Sequence, residues 1–363
     1  MTDTVRIVFA SCQYPPGLLD GDLAYASYAR LNHRLSQANS PTLLLLLGDQ
    51  IYSDATAGLQ DPVQSAERYD QRYRDWLGQP HVRAIMQNPL LSVQCMPDDH
   101  ELVDNWEPLC KTSPNNALNE WYKQRGLKAF WRYQRGVTAA PAAGYGPIWQ
   151  QFQHQGYAFF MMDTRTQRAQ RDHRNIRAST TLILDDLAHA PQTTALEAWL
   201  LEQHRLTPHK PKLLSSASML FPRRTANETD VLSMDSWQGY PSSFHRLLAF
   251  IAQHQIQKVV FLSGDEHLAS IATLTVNTVK PLKVYSIHCP ALYAPLAFAN
   301  ADAADFLGVD SFNIRNGPIN YPATIDTVFP PTGNGYVELA ITDDAMTVTV
   351  DLDSGNWSQT ISI

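Results

Sequence analysis

Seven short runs of apolar, strand-forming residues punctuate the chain, at 7–10, 43–47, 91–96, 159–162, 213–216, 259–262 and 284–287. The run at 43–47 is leucine throughout, and most of the others lack the polar alternation of a half-exposed strand. Such short runs read as strands buried on both faces. Between them apolar residues recur at helical spacing. Asp22 can cap a helix that carries Ala24, Tyr28, Leu31 and Leu35 on one face. Thr194 with Glu197 fits a capping box ahead of Leu196, Trp199 and Leu200, and Ser242 or Ser243 precedes Phe244, Leu247, Leu248 and Ile251. Strands alternating with helices predict an α/β protein with a largely parallel sheet.

Toward the C-terminus the pattern changes. Residues 336–341 and 346–350 alternate as strands about a turn at 342–345, and 357–363 offers one more strand. The expectation is a single domain over 1–363 in which two sheets pack together with helices outside. A C-terminal β-hairpin at about 335–363 is expected to complete the second sheet. The stretch 299–331, rich in Asn, Pro and Gly, reads as long loops near the site. Internal repeats, low-complexity tracts and interdomain linkers are not visible.

Composition narrows the class. With 363 residues, 44% of them hydrophobic and 17% charged, the chain has enough apolar surface for a sizeable core and is not a disordered one. A net charge of −7 disfavours nucleic acid as a partner, because phosphate binding depends on Lys and Arg. Cys12, Cys95, Cys110 and Cys289 are too few and too scattered for a disulfide framework or a zinc finger. The N-terminus runs directly into the first strand without the pattern of a signal peptide. No apolar run approaches the ~20 residues of a membrane span. A cytoplasmic location without membrane contact is therefore expected, and the oligomeric state is not readable.

Three polar clusters stand immediately after apolar runs: Gly48-Asp49-Gln50-Ile51-Tyr52, Asp98-Asp99-His100-Glu101 and Ser263-Gly264-Asp265-Glu266-His267. Each has an ordinary explanation by itself. Gly48-Asp49 and Ser263-Gly264-Asp265 suit turns, Asp98 and Glu101 have capping-box spacing, and His100 and His267 suit packed or solvated positions. Cys12 suits a small buried hydrophobe. The ordinary account needs a separate coincidence for each, all at one edge of the sheet, where ligands bind in α/β folds. Converging carboxylates repel unless cations hold them. Asp49 has the chemistry to bridge two cations, Asp99 and Asp265 are hard oxygen ligands, His267 offers nitrogen, and Cys12 and Tyr52 are anionic donors that favour a transition metal. Hydroxide held by such cations is a competent nucleophile near neutral pH, and His100 can orient phosphate or protonate a leaving oxygen.

Ser11-Cys12-Gln13, Gly48-Asp49-Gln50-Ile51-Tyr52, Asp98-Asp99-His100-Glu101, Asp163-Thr164-Arg165, Asp235-Ser236-Trp237-Gln238-Gly239-Tyr240 and Ser263-Gly264-Asp265-Glu266-His267 occur in that order. The set resembles the alkaline phosphatase D (PhoD-like) family of the calcineurin-like metallophosphoesterase superfamily, and it covers nearly the whole chain. The resemblance implies a four-layer α/β/β/α sandwich and a phosphatase or phosphodiesterase acting on a small-molecule phosphate ester. It implies two or more metal ions: iron plus calcium or another divalent ion, with manganese, zinc and magnesium as the alternatives. Cys12, Asp49, Tyr52 and His267 would then surround the first metal and Asp49, Asp99 and Asp265 the second. His100, Arg165 and Asp49 would be the catalytic set, with Arg165 offering its planar fork to phosphate.

This sequence departs from most metallophosphoesterases in two places. Ser11-Cys12-Gln13 replaces an Asp-x-His motif, and Ser215, Ser216 or Ser218 replaces a strand-end histidine. Both changes look like those of the alkaline phosphatase D family. The secreted members carry an export signal and a small N-terminal β domain, and neither is seen here. Arg168, Arg171, Arg174 and Arg177 continue a basic stretch that reads either as a lid over a polyanion or as a solvated loop. His288 reads as packed or pocket-lining, and Trp106, Trp121, Trp131 and Trp237 as core or pocket wall. A non-catalytic binder of a phosphorylated ligand or a protein partner on the same scaffold is the competing reading. A hydrolase of another ester or phosphonate class is a third.

Overall fold

The computed structural model describes residues 4–17, 20–38, 40–54, 65–138, 145–171, 191–225, 234–295 and 301–363. The strands are β1 (Val5–Gln13), β2 (Thr42–Leu47), β3 (Leu91–Met96), β4 (Gln150–His154), β5 (Tyr157–Met162), β6 (Lys212–Ser216), β7 (Val259–Ser263), β8 (Ser270–Val276), β9 (Leu282–His288), β10 (Ala291–Tyr293), β11 (Val309–Asn316), β12 (Ile319–Val328), β13 (Gly335–Ile341), β14 (Ala345–Leu352) and β15 (Gly355–Ser362). The helices are α1 (Gly21–Ala24), α2 (Ala26–Ser36), α3 (Ala66–Gly78), α4 (Pro80–Met86), α5 (Asn116–Tyr133), α6 (Gln192–Leu206) and α7 (Pro241–Gln253). One sheet runs β15-β14-β13-β1-β2-β3, with β10 also paired to β1, and the other runs β11-β12-β8-β9-β7-β6-β5-β4.

Side-chain alternation explains why the two sheets stack. Leu43, Leu45 and Leu47 point inward with Ile7 and Phe9, and meet Phe159, Met161, Leu213, Val260 and Leu262 of the other sheet. Leu44 and Leu46 point outward with Val8 and Ala10, against Tyr28, Leu31 and Leu35 of α2. On the far side Phe160, Leu214 and Phe261 pack against Leu196, Trp199 and Leu200 of α6 and Leu247, Leu248 and Ile251 of α7. Because both faces of these strands are covered, the expected uninterrupted apolar runs are required. The result is the expected α/β/β/α sandwich.

Some details differ from the sequence reading. The stretch 299–331 is not simply loop: β11 and β12 form an antiparallel hairpin with Asn316 opposite Ile319, and β12 pairs with β8. Only alternate residues are buried (Asp310 and Ile314 in β11, Ala323 and Ile325 in β12), so the apolar signal is weak. Gly317, at φ +57°, opens the two-residue turn. The C-terminal hairpin forms, and β13, β14 and β15 lie in the sheet that carries β1. The edge of β1 opposite β2 is taken by β13, with Val5 opposite Ile341 and Phe9 opposite Val337.

The expected helix caps are also displaced. The Thr194–Glu197 box is not formed, because α6 begins at Gln192, whose side chain is hydrogen-bonded to the backbone of Asp163. Glu197 instead pairs with Arg246. Pro241 opens α7 ahead of Ser242 and Ser243, and Asp22 lies in the first turn of α1 instead of capping it. Among the described residues no helix is long and apolar enough to cross a membrane.

Candidate metal centre

The parallel strands β1, β2 and β3 of one sheet and β5, β6, β7 and β9 of the other end on the same side of the sandwich. Their loops approach too closely for side chains at two points. A Cβ on Gly48, at φ +92°, would lie 2.5 Å from Asp98 Cβ, and one on Gly264 would lie 2.2 Å from Ser11 Oγ. The backbone here is strained as well. Cys12 (φ +60°), Asp49 (+55°), Asp265 (+96°) and His267 (+54°) all occupy the left-handed region. Such residues cost on the order of 1–3 kcal/mol each and persist only where their surroundings fix them.

The fixing contacts are visible. Cys12 and Gln13 donate backbone N–H groups to the carbonyls of Gly48 and Asp49 at 3.3 and 2.8 Å. The Glu101 carboxylate, fully buried, accepts the amides of Asp49, Gln50 and Asp98, each at 2.8 Å. The spacing of Asp98 and Glu101 thus makes half of a capping box, but no helix follows it. Burial pushes Glu101 up to about 7 while the three amides pull it down.

All six expected ligands come together. Asp49, Asp98, Asp99 and Asp265 each offer an oxygen within 4.8 Å of the others, and Asp49, Asp99 and His100 form an overlapping group of the same tightness. Cys12 Sγ lies 3.4 Å from Asp49 Oδ2 and 3.8 Å from the Asp265 carbonyl. Tyr52 Oη and His267 Nε2 are 3.1 Å apart.

Without a cation this grouping is electrostatically costly. Burial, reinforced by Asp99, pushes Asp49 well above the usual carboxylate range, and burial with Asp98 and Asp235 does the same to Asp265. Burial raises Asp98 to about 6 even beside Arg165, and it also raises the Cys12 thiol and Tyr52 phenol. Asp99 Oδ1 and Asp98 Oδ2 are buried without a hydrogen-bond partner. Oxygen donors lacking protons to accept, ringed by like charges, fit bound cations.

His100 is held more firmly than its sequence position suggested. Its Nδ1 lies 2.8 and 3.0 Å from the Asp54 carboxylate oxygens, and its ring stacks on Tyr52 with centroids 3.9 Å apart. Burial works against a charge on this imidazole, but Asp99, the Asp54 hydrogen bond and Asp49 together raise its pKa well above the ordinary value. Asp54 was not singled out from the sequence; lying two residues beyond Tyr52 in the same strand-end loop was its one signal.

Arg165 departs from the expectation that it reaches phosphate. Its side chain is fully buried and its donors are already used. Nε donates to Asp98 at 2.6 Å, the fork engages Asp235, Nη1 reaches the Trp106 carbonyl at 3.3 Å, and Nη2 stands 3.5 Å from Asp99 Oδ1. The guanidinium is thus held among three aspartates, Asp98, Asp99 and Asp235. Arg168 is neither lid nor solvated loop: it is buried against Asp235, Ser218 and the Tyr240 ring. Arg171 pairs with Glu107, whereas Arg174 and Arg177 lie outside the described residues.

Two of the serines at the end of β6 serve this network. Ser216 accepts Trp237 Nε1 at 3.1 Å, and Ser218 accepts Arg168. Trp106 and Trp237 are buried, and Trp121 and Trp131 pack partly buried against the α2–α5 layer. Beside Tyr52 lies a cavity of about 500 Å³, lined also by Gln13, Gln50, Tyr25, Arg72 and Trp76.

This chain belongs to the PhoD-like phosphatase family, whose profile matches residues 7–350. Alkaline phosphatase D of Bacillus subtilis (strain 168) is 26% identical over 190 residues, covering 50% of this chain and 32% of that protein. The alignment thus spans about a third of the curated relative's length. The solved structure of PhoD has the same fold, with a TM-score of 0.64 at 16% identity over 99% of this chain and 68% of the other. A dimetal phosphatase from Danio rerio aligns over 98% of this chain and 99% of its own at 11% identity, with a TM-score of 0.48, too distant to add weight.

Proposed function

We propose that the chain is a metal-dependent phosphoric ester hydrolase acting on small-molecule phosphate esters. The observation that carries this reading is the convergence of Asp49, Asp98, Asp99 and Asp265, four carboxylates within 4.8 Å, the first three of them buried, beside Cys12, Tyr52 and His267. Membership of the PhoD-like phosphatase family supports it. Cys12, Asp49, Tyr52 and His267 would hold one cation, and Asp49, Asp99 and Asp265 a second. A thiolate and a phenolate in the first set favour iron there, and the all-carboxylate set favours calcium or another divalent ion. When bound, the pair supplies positive charge for phosphate oxygens and acidifies water.

The chain's own groups complete the site. Asp54 accepts the His100 Nδ1 proton, and because the carboxylates keep the ring charged, Nε2, 3.8 Å from Asp104 Oδ1, carries a second proton for phosphate or for the departing alcohol oxygen. Arg165 braces Asp98 and Asp99 from behind. The cavity beside Tyr52 gives room for the organic part of an ester. Hydrolysis of nitrophenyl phosphate and of bis-nitrophenyl phosphate by protein loaded with iron, calcium or manganese tests the proposal, and no turnover of either ester refutes it. Elemental analysis and visible absorption from thiolate- or phenolate-bound ferric iron test the metals themselves.

A further inference from the structure

We propose that His288 is a positioning residue: a neutral imidazole carrying its proton on Nδ1, it holds the backbone between Asp265 and His267 and so aims both side chains at the cations. The role rests on the metal-dependent reading above.

His288 ends β9 directly opposite Ser263, the last residue of β7. Its ring is fully buried, with Nδ1 2.9 Å from Ser263 Oγ. Its other nitrogen, Nε2, accepts the backbone N–H of Glu266 at 3.2 Å. A ring nitrogen that accepts an amide proton carries none of its own, so the imidazole proton belongs on Nδ1, donated to Ser263 Oγ. Burial, aided by nearby His267, depresses the imidazole to about 3, consistent with the neutral form.

Glu266 is the residue that separates the two proposed ligands, and both of its neighbours are left-handed, at φ +96° and +54°. A strained three-residue segment needs an anchor at its centre, and the amide of Glu266 is that centre. The rest of the loop is also tied down. Cys289 N donates to the Ser263 carbonyl at 2.9 Å, Gly264 N donates to the Ala217 carbonyl at 3.1 Å, and the Glu266 carboxylate pairs with Arg224. From inside the protein His288 holds the Glu266 amide, and Cys12 Sγ stands 3.8 Å from the Asp265 carbonyl.

Two amide substitutions separate positioning from simple packing. Asn at 288 keeps a donor where Nδ1 stands but falls short of the Glu266 amide, whereas Gln reaches it with an acceptor oxygen. Metal affinity is measured on the full chain by competition with a chelator. His288→Asn is expected to bind about 10–100-fold more weakly and His288→Gln within about threefold of the parent, the range for groups behind metal ligands. Equal affinities in the two variants overturn the proposal.

A second readout needs neither metal nor variant. Nitrogen-15 NMR of the metal-free parent protein should show the Nδ1–H tautomer at His288, and an Nε2–H or charged ring overturns the role. A parent chain that takes up no metal overturns the hydrolase reading and this role with it. A parent that loads metal, beside a His288→Asn variant that loads equally well, overturns this role alone.

Discussion

The Glu101 carboxylate accepts the backbone amide of Asp49 at 2.8 Å, across 52 residues of sequence. The same carboxylate takes the amides of Gln50 and Asp98, so one side chain binds the loop after β2 to the loop after β3. Asp49 and Asp99 therefore owe their proximity to a residue that is itself too deep to meet a substrate.

This relationship predicts the outcome of Glu101→Gln. A glutamine offers one carbonyl oxygen to three amides and places a donor where an acceptor is needed. Charged hydrogen bonds of this kind are worth about 1.5–3 kcal/mol each, and a buried orphan costs about 1–3. Urea unfolding should show a loss of at least about 2 kcal/mol with an unchanged slope. A variant as stable as the parent protein would mean that the loops hold themselves.

Asp235 predicts a comparable cost by another route. Its carboxylate receives both Arg165 and Arg168, whose side chains are fully buried, and their charges draw it down against the upward push of burial. In Asp235→Asn Arg168 loses the carboxylate that balances it, while Arg165 keeps Asp98 and the more distant Asp99. Removing one partner of a buried ion pair typically costs about 3–5 kcal/mol. Thermal unfolding of the metal-free protein checks this, and a loss below about 1 kcal/mol would show that water compensates.

The legible parts of this molecule are those written in contiguous residues. The five leucines of β2 declare a strand because both of its faces meet apolar layers. The β11–β12 hairpin was hidden because each strand buries alternate residues and its polar half resembles loop. The acidic clusters that converge at the strand ends were readable from residue type and strand-end position. What supports them was not. Arg165 meets Asp235 across 70 residues, Glu101 meets Asp49 across 52, and no local pattern encodes either contact. Arg165 therefore read as a free phosphate-binding fork until its partners were in place.

His288 gives a pH dependence with a definite sign. Its folded pKa of about 3 lies below the ordinary value of 6.5, so between those values the unfolded chain binds more protons. The stability this residue allows is complete above about pH 6.5 and is lost as pH falls toward 3. In His288→Gln no imidazole titrates, so the slope of unfolding free energy against pH over this window should flatten by up to about one proton. Matched denaturant titrations of metal-free parent and variant at several pH values provide the comparison. Identical slopes would place the acid sensitivity elsewhere.

Asp49→Asn should separate the cost of the site from its use. In the metal-free protein Asp49 is buried beside Asp99 and His100, and burial together with Asp99 raises its pKa well above the carboxylate range. Its ionised form is therefore unfavourable in the fold at neutral pH, whereas it is free in the unfolded chain. Asparagine is nearly isosteric: Oδ1 still accepts the His100 amide, now at 3.3 Å, and the charge is gone. The metal-free variant should therefore be more stable than the parent at neutral pH. Added iron or calcium should then stabilise the variant far less than the parent, because stabilisation by a ligand follows its affinity for the folded state. Nitrophenyl phosphate turnover should fall to background. Thermal scans with and without metal read both effects together. A variant that gains no metal-free stability, yet still responds to metal as the parent does, would remove Asp49 from the centre of the site.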